Sequence, residues 1–531
     1  MYGTVWVVLL FVAFQPSLGL RLVPNLAPGR LLSKGCVRVT HTSIRAVVGK
    51  GQEEQQQQQT EGGLPPWLPS FGTAALGGLL FGSDIGATSS VVKILGTGVS
   101  DLGPLNTLEL GQVASASLLG AMAASAALIF LGDSKIGRKL ELQVASVLFA
   151  VGTLAQSLAP TYALVIAGRC LFGLGIGTAM HVAPLYIAET APDAQRGKLV
   201  SLKEAAIVGG IVVGYGAGAL FGTNDVSGWR SVYESVLPLE VLMLMGAFLF
   251  APESPRWLAL RSRPEEAATA IQACQGLSPV EAQRAVEDMT RAAGGAATGG
   301  KVADNSMSEK LDEIFSSPYN RQALTIGVGL VLFQQLSGQP SVLYFANRIF
   351  EKAGLGYEAA LGVGVFKLAM TVVSAALVED PRFGRRSLLL YGNAGITASL
   401  VGLSALYGLA GDAGPNQAAI IACILVFVGC YQIGFGPITW LVLSEIFPLR
   451  IRSAAVSMGT LANFGSNLLV ALLFESEREM LGESALFGQF ALVAAVATAF
   501  TFVNVFETRG LSLEAIEEKL RSQVDERDKT K

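Results

Sequence analysis

Asp133-Ser-Lys-Ile-Gly137-Arg138-Lys139 recurs, with the same spacing, as Asp380-Pro-Arg-Phe-Gly384-Arg385-Arg386. A second pair follows in the same order. Tyr186-Ile-Ala-Glu189-Thr-Ala-Pro192-Asp-Ala-Gln-Arg196 matches Leu443-Ser-Glu445-Ile-Phe-Pro448-Leu-Arg-Ile-Arg452, and in both Glu precedes Pro by three and Arg by seven. A motif set used twice marks one structural unit used twice. The surroundings say what the unit is. The chain is 51% hydrophobic and 15% charged, against roughly 25% charged in a soluble domain, which makes it a membrane protein by composition. Net charge is −3, and outside the N-terminal segment no basic block advertises nucleic acid. The five cysteines are scattered, and with only two histidines neither a disulfide framework, a metal site nor a cofactor is indicated.

A hydrocarbon core about 30 Å thick needs roughly 20 apolar residues per spanning helix. Runs of that kind fall at 70–92, 108–131, 140–159, 161–188, 201–222, 236–251, 322–346, 357–378, 387–410, 417–443, 453–474 and 485–506. The long polar interruption, 252–321, divides them six and six. The fold class is therefore an all-α membrane protein of 12 transmembrane helices in two six-helix halves. The domains read as 1–65 presequence and linker, 66–251 N-terminal half, 252–321 helical linker with two or three short helices, 322–510 C-terminal half and 511–531 tail. Loops after spans two, four, eight and ten carry Lys135, Arg138, Lys139, Arg196, Lys198, Arg382, Arg385, Arg386, Arg450 and Arg452. The positive-inside rule then puts both termini and the linker on the cytosolic side or its equivalent.

Residues 1–52 contain no Asp or Glu but six Lys or Arg, the composition of an organelle transit peptide, and Val5–Phe14 is an apolar core too short to span. Signal-like then transit-like segments point to a bipartite plastid presequence and the plastid envelope. An ordinary signal peptide or a cytosolic tail, with a vacuolar or plasma-membrane address, stays open.

The repeated motifs resemble those of the sugar porter family of the major facilitator superfamily. Further matches are Arg169-Cys-Leu-Phe-Gly173-Leu-Gly-Ile-Gly177, Pro252-Glu-Ser-Pro-Arg256-Trp257, Gln334-Gln335-Leu-Ser-Gly338, Gly436-Pro437-Ile-Thr-Trp440 and Phe506-Glu507-Thr508-Arg509-Gly510. Residues 70–520 share the resemblance. His181-Val-Ala-Pro-Leu-Tyr-Ile-Ala-Glu189, Ser201-Leu-Lys-Glu204 and Gln335-Leu-Ser-Gly-Gln339-Pro340-Ser-Val-Leu-Tyr344 are similar to plant and algal plastidic or vacuolar glucose transporters of the xylose-proton symporter-like kind. The resemblance implies the major facilitator fold, with parallel repeats closing alternately around a midplane site.

Glu189, Arg196, Glu445, Arg452, Arg138, Arg385, Asp133 and Asp380 are candidates for a cytosolic gate. Their carboxylates and guanidinium groups can pair between helix ends when that side is closed; the alternative is that they are topology signals alone. Asp133 and Asp380 stand four residues before Gly-Arg where the family has three, which leaves their partners open. For the substrate, amides donate and accept without net charge, so Gln334 and Gln335 lead, with Gln339 beside them. The resemblance adds Tyr344, Phe435 and Trp440 as aromatic faces for a sugar, and Asn463 as a further contact; each aromatic also reads as packing. Glu204 and Lys367 stand where the family has amides, and Gly459 where it has a glutamine. Ionisable groups at membrane depth are costly unless paired or facing a cavity, so these two either pair across the halves or contact the sugar.

Asp84 lies about fifteen residues into the first span, and Arg169 lies at membrane depth in the fourth. A carboxylate beside arginine, alternately desolvated and solvated, can hold and release a proton. In the family, an aspartate and an arginine at these positions mark proton-driven members; a permanent structural ion pair is the other reading. Proton symport of a monosaccharide by a monomer follows. A passive facilitator, a polyol (inositol) transporter and a sugar sensor are the alternatives. No Gly-x-x-x-x-Gly-Lys-Ser/Thr phosphate loop is present, so ATP drive is not indicated, and no nucleophile and base pairing indicates an enzyme.

Overall fold

The structure is a computed structural model that describes residues 65–529, apart from 97, 99, 132–135, 193–194, 223–225, 296–306, 341–356, 381, 411–414, 449–450 and 512. The presequence, Asp133, Tyr344 and residues 341–346 of the predicted seventh span lie outside the described residues. Among those described there are helices and no strands. The N-terminal half comprises α1 (Leu68–Gly96), α2 (Thr107–Leu131), α3 (Arg138–Ser157), α4 (Tyr162–Thr190), α5 (Arg196–Phe221), α6 (Gly228–Glu234) and α7 (Leu237–Met245), with a π turn over Gly246–Phe250. Four short helices follow: α8 (Pro255–Leu260), α9 (Pro264–Gln275), α10 (Pro279–Gly295) and α11 (Met307–Ser316). The first is one more than the linker's sequence promised. It starts because Ser254 Oγ accepts the backbone N–H of Trp257 (3.1 Å), a cap directly followed by proline.

The C-terminal half comprises α12 (Pro318–Leu336), α13 (Tyr357–Glu379), α14 (Arg385–Gly408), α15 (Gln417–Ile433), α16 (Phe435–Ile446) and α17 (Arg452–Asn504). The last is two spans run together across Gly482, whose φ of 75° breaks the helix. Eleven described segments are long and apolar enough to cross a membrane; α12 supplies the start of the remaining predicted span. The tail forms α18 (Leu513–Lys529), whose Ile516 and Leu520 are buried in the C-terminal core.

Lipid tails are as apolar as leucine, so helices here associate by close packing over small residues. The crossing of α1 and α5 is the clearest case. A Cβ on Gly82 would lie 1.8 Å from the Ile207 carbonyl, and one on Gly210 would lie 2.0 Å from the Leu79 carbonyl. The halves meet along two seams. On one, Phe464 of α17 joins the N-terminal core and stands edge-on to Phe81 at 5.8 Å. On the other, Leu361 of α13 packs against Ile211 and Tyr215 of α5.

Candidate functional site

The aspartate and arginine separated by 85 residues meet. Arg169 Nη1 and Nη2 donate to Asp84 Oδ1 (3.0 Å) and Oδ2 (3.3 Å), with Arg169 wholly buried and Asp84 6% exposed. The pair does not stand alone. Ser117 Oγ donates to Asp84 Oδ2 (2.7 Å) and Thr88 Oγ1 to Oδ1 (3.3 Å), while Arg169 donates to the Tyr233 hydroxyl (2.8 Å). Four elements thus converge on one ion pair. Gly173, one turn beyond Arg169, explains how α2 reaches it: a Cβ there would lie 2.1 Å from the Ser117 carbonyl, so only glycine lets the two backbones touch. Ser117, Thr88 and Tyr233 had no sequence signal of their own, since an apolar helix tolerates scattered hydroxyls.

Nearer the join of the halves, α15 and α16 are interrupted at Gly434 (φ −98°, ψ −88°). Gln334 of α12 reaches this break, where its Nε2 donates to the carbonyls of Phe435 (2.7 Å) and Gly436 (3.4 Å). Half of an amide expected to face substrate is therefore committed to backbone. Gln335 is also buried, and its Oε1 has no hydrogen-bond partner among the described residues. Gln339 is half-buried just past Gly338, whose φ of 89° turns the chain. Asn463 is buried on α17. Phe435 is wholly buried in the C-terminal core, its ring tilted against Tyr431 at 6.4 Å; what it offers this region is its carbonyl rather than a ring face.

Glu204 and Lys367 form no ion pair with each other. Glu204 Oε1 is 3.1 Å from Nζ of its neighbour Lys203, although its charge is felt at Lys367 across the seam. The Lys203 ammonium also lies over the Trp440 ring, 5.5 Å from its centre, and that of Lys367 over the Tyr431 ring at 5.7 Å. Lys203 and Tyr431 were missed in the sequence; a lysine next to a glutamate on a helix reads as a surface pair until the seam is built.

At the gate, Arg138 meets Glu189 (3.3 Å) and Glu141 (3.5 Å), and Arg385 meets Glu445 (3.4 Å), which also accepts from Thr508 Oγ1 (2.6 Å). Both sets join helices within one half rather than across the two. Each also has a second brace. Glu253 accepts the backbone N–H of Lys139 (3.1 Å), and Glu507 those of Arg385 (2.8 Å) and Arg386 (3.2 Å). The invading carboxylates would stand 2.0 and 1.8 Å from a Cβ on Gly137 and Gly384, which is why glycine opens both motifs. His181 Nδ1 lies 2.8 Å from Glu141 Oε2, extending the N-terminal network inward.

Three gate residues behave otherwise. Arg452 donates to the Phe447 carbonyl (3.1 and 3.0 Å); burial, with Arg256 and Arg196 nearby, brings its guanidinium down to about 10. Arg196 is exposed. Asp380 pairs with Arg382 (2.8 Å) inside its own turn, and that bond holds it down at about 2. Its side chain closes the turn, while its backbone carbonyl accepts from Arg509 Nη1. Burial pushes Glu445 up, against the pull of Thr508 and Arg385.

A family profile described as sugar (and other) transporter matches residues 72–520. The D-xylose-proton symporter-like 3, chloroplastic, of Arabidopsis thaliana is 43% identical over 468 residues, covering 84% of this chain and 81% of that one. The glucose transporter GlcP of Staphylococcus epidermidis is 33% identical over 461 residues, 86% of this chain and 98% of that one. Among solved structures, the major facilitator proton:xylose symporter XylE bound to 6-bromo-6-deoxy-D-glucose superposes with a TM-score of 0.70 at 27% identity, over 85% of this chain and 98% of that one. With two six-helix halves, motifs repeated in each and a family match running almost from the first helix to the last, the chain belongs to the sugar transporter family of the major facilitator superfamily.

Proposed function

We propose that this chain carries a monosaccharide, a hexose such as glucose or a pentose such as xylose, together with a proton, by alternating access of its halves to a site between them. The buried Asp84–Arg169 pair is the observation that carries the coupling. Protonating Asp84 removes the charge that Arg169 grips bidentately. Arg169 keeps Tyr233 and Ser117 as partners, so the arginine can let go without being stranded. Loss of a link between α1 and α4 then biases the rocking equilibrium.

Gln335, Gln339, Asn463 and Trp440 serve the sugar, with Tyr344 completing the set and Gln334 and Phe435 fixing the geometry of the α15–α16 break. Glu204 and Lys367 set the field at the seam. Residues 66–251 and 322–510 rock as units, 252–321 connects them on the cytosolic side, and the transporting unit is the monomer. The gate residues brace each unit. The acid-free N-terminal segment, together with the chloroplastic label on the Arabidopsis relative, supports the plastid envelope as the membrane.

The test is uptake by the protein in proteoliposomes across a panel of hexoses, pentoses and inositol, with and without an imposed pH gradient. Asp84→Asn should abolish gradient-driven accumulation while sugar exchange persists. Undiminished accumulation in that variant would remove Asp84 from coupling, and a preference for inositol would change the substrate.

A further inference from the structure

A sugar stacked on Trp440 and the Lys203 ammonium cannot share one ring face. Lys203 sits on α5 of the N-terminal half and Trp440 on α16 of the C-terminal half, so their 5.5 Å contact is a link between the two bodies. The lysine is 4% exposed. Its ammonium is held from the side by Glu204 at 3.1 Å, and the Glu204 charge also reaches Lys367 and Tyr431 on the C-terminal half. A desolvated cation over an indole is favourable, and here it is aimed by a carboxylate on the same helix.

We propose that Lys203 is a positioning residue that stands in for the sugar. It occupies the Trp440 face and ties the halves together when no sugar is there, so that the carrier can return without cargo. This rests on the transport reading above and on Trp440 as a sugar platform. A carrier whose halves are drawn together only by substrate returns slowly when unloaded. One whose own lysine makes the same bridge returns readily, and substrate must displace the lysine to bind. Lys203 therefore weakens apparent sugar affinity while it speeds net turnover. Glu204 is what keeps the displaced ammonium from being stranded at membrane depth.

The experiment separates two fluxes in proteoliposomes containing the full chain: net uptake of labelled sugar into sugar-free vesicles, and exchange into vesicles preloaded with the same sugar. Glucose and xylose are the probes. In the unmodified chain exchange should exceed net uptake by no more than about twofold, since the return is assisted; a large acceleration by internal sugar overturns the proposal without mutagenesis. Lys203→Met keeps the stem and removes the charge. It should lower the half-saturation for exchange and reduce net uptake relative to exchange by about fivefold or more, a size in keeping with one desolvated cation–ring contact. Lys203→Arg should restore the ratio. Lys203→Gln is expected to behave as Lys203→Met and replaces it if that variant does not fold. Net uptake and exchange falling in parallel would make Lys203 structural. Absence of sugar flux of either kind in the unmodified chain would instead overturn the transport reading.

Discussion

Gln334 shows how a residue can be found in the sequence and still be read in half. A paired amide inside an apolar helix is legible because nothing else justifies its desolvation. That its Nε2 would be spent on the Phe435 carbonyl is not legible, because the break at Gly434 depends on two helices meeting a third. Gln334→Ala is accordingly expected to act twice. Half-saturation for sugar should rise more than about tenfold, equivalent to about 1.4 kcal/mol, and the melting temperature should fall because a buried carbonyl loses its donor. A sugar affinity unchanged in Gln334→Ala would take this residue out of the site. The Asp84 and Arg169 pairing was legible for a similar reason: two opposite charges at membrane depth in one half have few other places to go. The hydroxyls of Ser117, Thr88 and Tyr233 that complete it carry no such compulsion. They become visible only when Gly173 brings α2 against α4.

Helix positions were the most legible feature, since each span announces itself by length and hydropathy alone. Helix breaks were less so: Gly434 was absorbed into the run 417–443, whereas Gly482 falls in the gap read between 453–474 and 485–506. Glycines of α1 beside Asp84 admit a close neighbour, and the crossing with α5 shows which it is. Gly210→Val should therefore sharply lower the yield of folded protein and its melting temperature, because its Cβ would meet the Leu79 carbonyl at 2.0 Å; overpacking of this kind costs about 1–3 kcal/mol or more. Gly209→Ala, one residue earlier with open space around it, is the control and should melt like the parent. Equal melting of the two variants would mean that α1 and α5 are not in backbone contact. At the cytosolic ends, burial raises the Glu445 carboxyl. A group raised in the folded state contributes stability that is complete below the ordinary carboxylate range and is lost as pH rises through its raised value. Glu445→Gln, which cannot ionise, should thus melt above the parent at neutral pH, with the difference closing on acidification; a lower melting point at neutral pH would show that the Arg385 bond outweighs burial.

For the molecule as a whole, the repeat of Gly-Arg and Glu-Pro-Arg motifs was legible as two units, but not where their charges would close. The sequence puts these charges at helix ends, where they can pair between helices but carry no address. The structure closes them inward: Arg138 on Glu189, Arg385 on Glu445, and Glu253 and Glu507 against the backbone at Gly137 and Gly384. Across the seam, the neighbours felt by Arg452 include Arg256 and Arg196, so like charge meets like there. Those inward grips have a kinematic consequence. On the alternating-access reading proposed above, a third span clamped to the segment after the sixth by a carboxylate that leaves no room for a methyl group is expected to give each half little internal slack, so that relative movement is confined to the two seams. A machine with a single free coordinate has few slip configurations, in which a proton crosses without sugar. If Asp84 carries the proton as proposed, tightness of coupling is then expected to depend as much on the stiffness of the two bodies as on that acid.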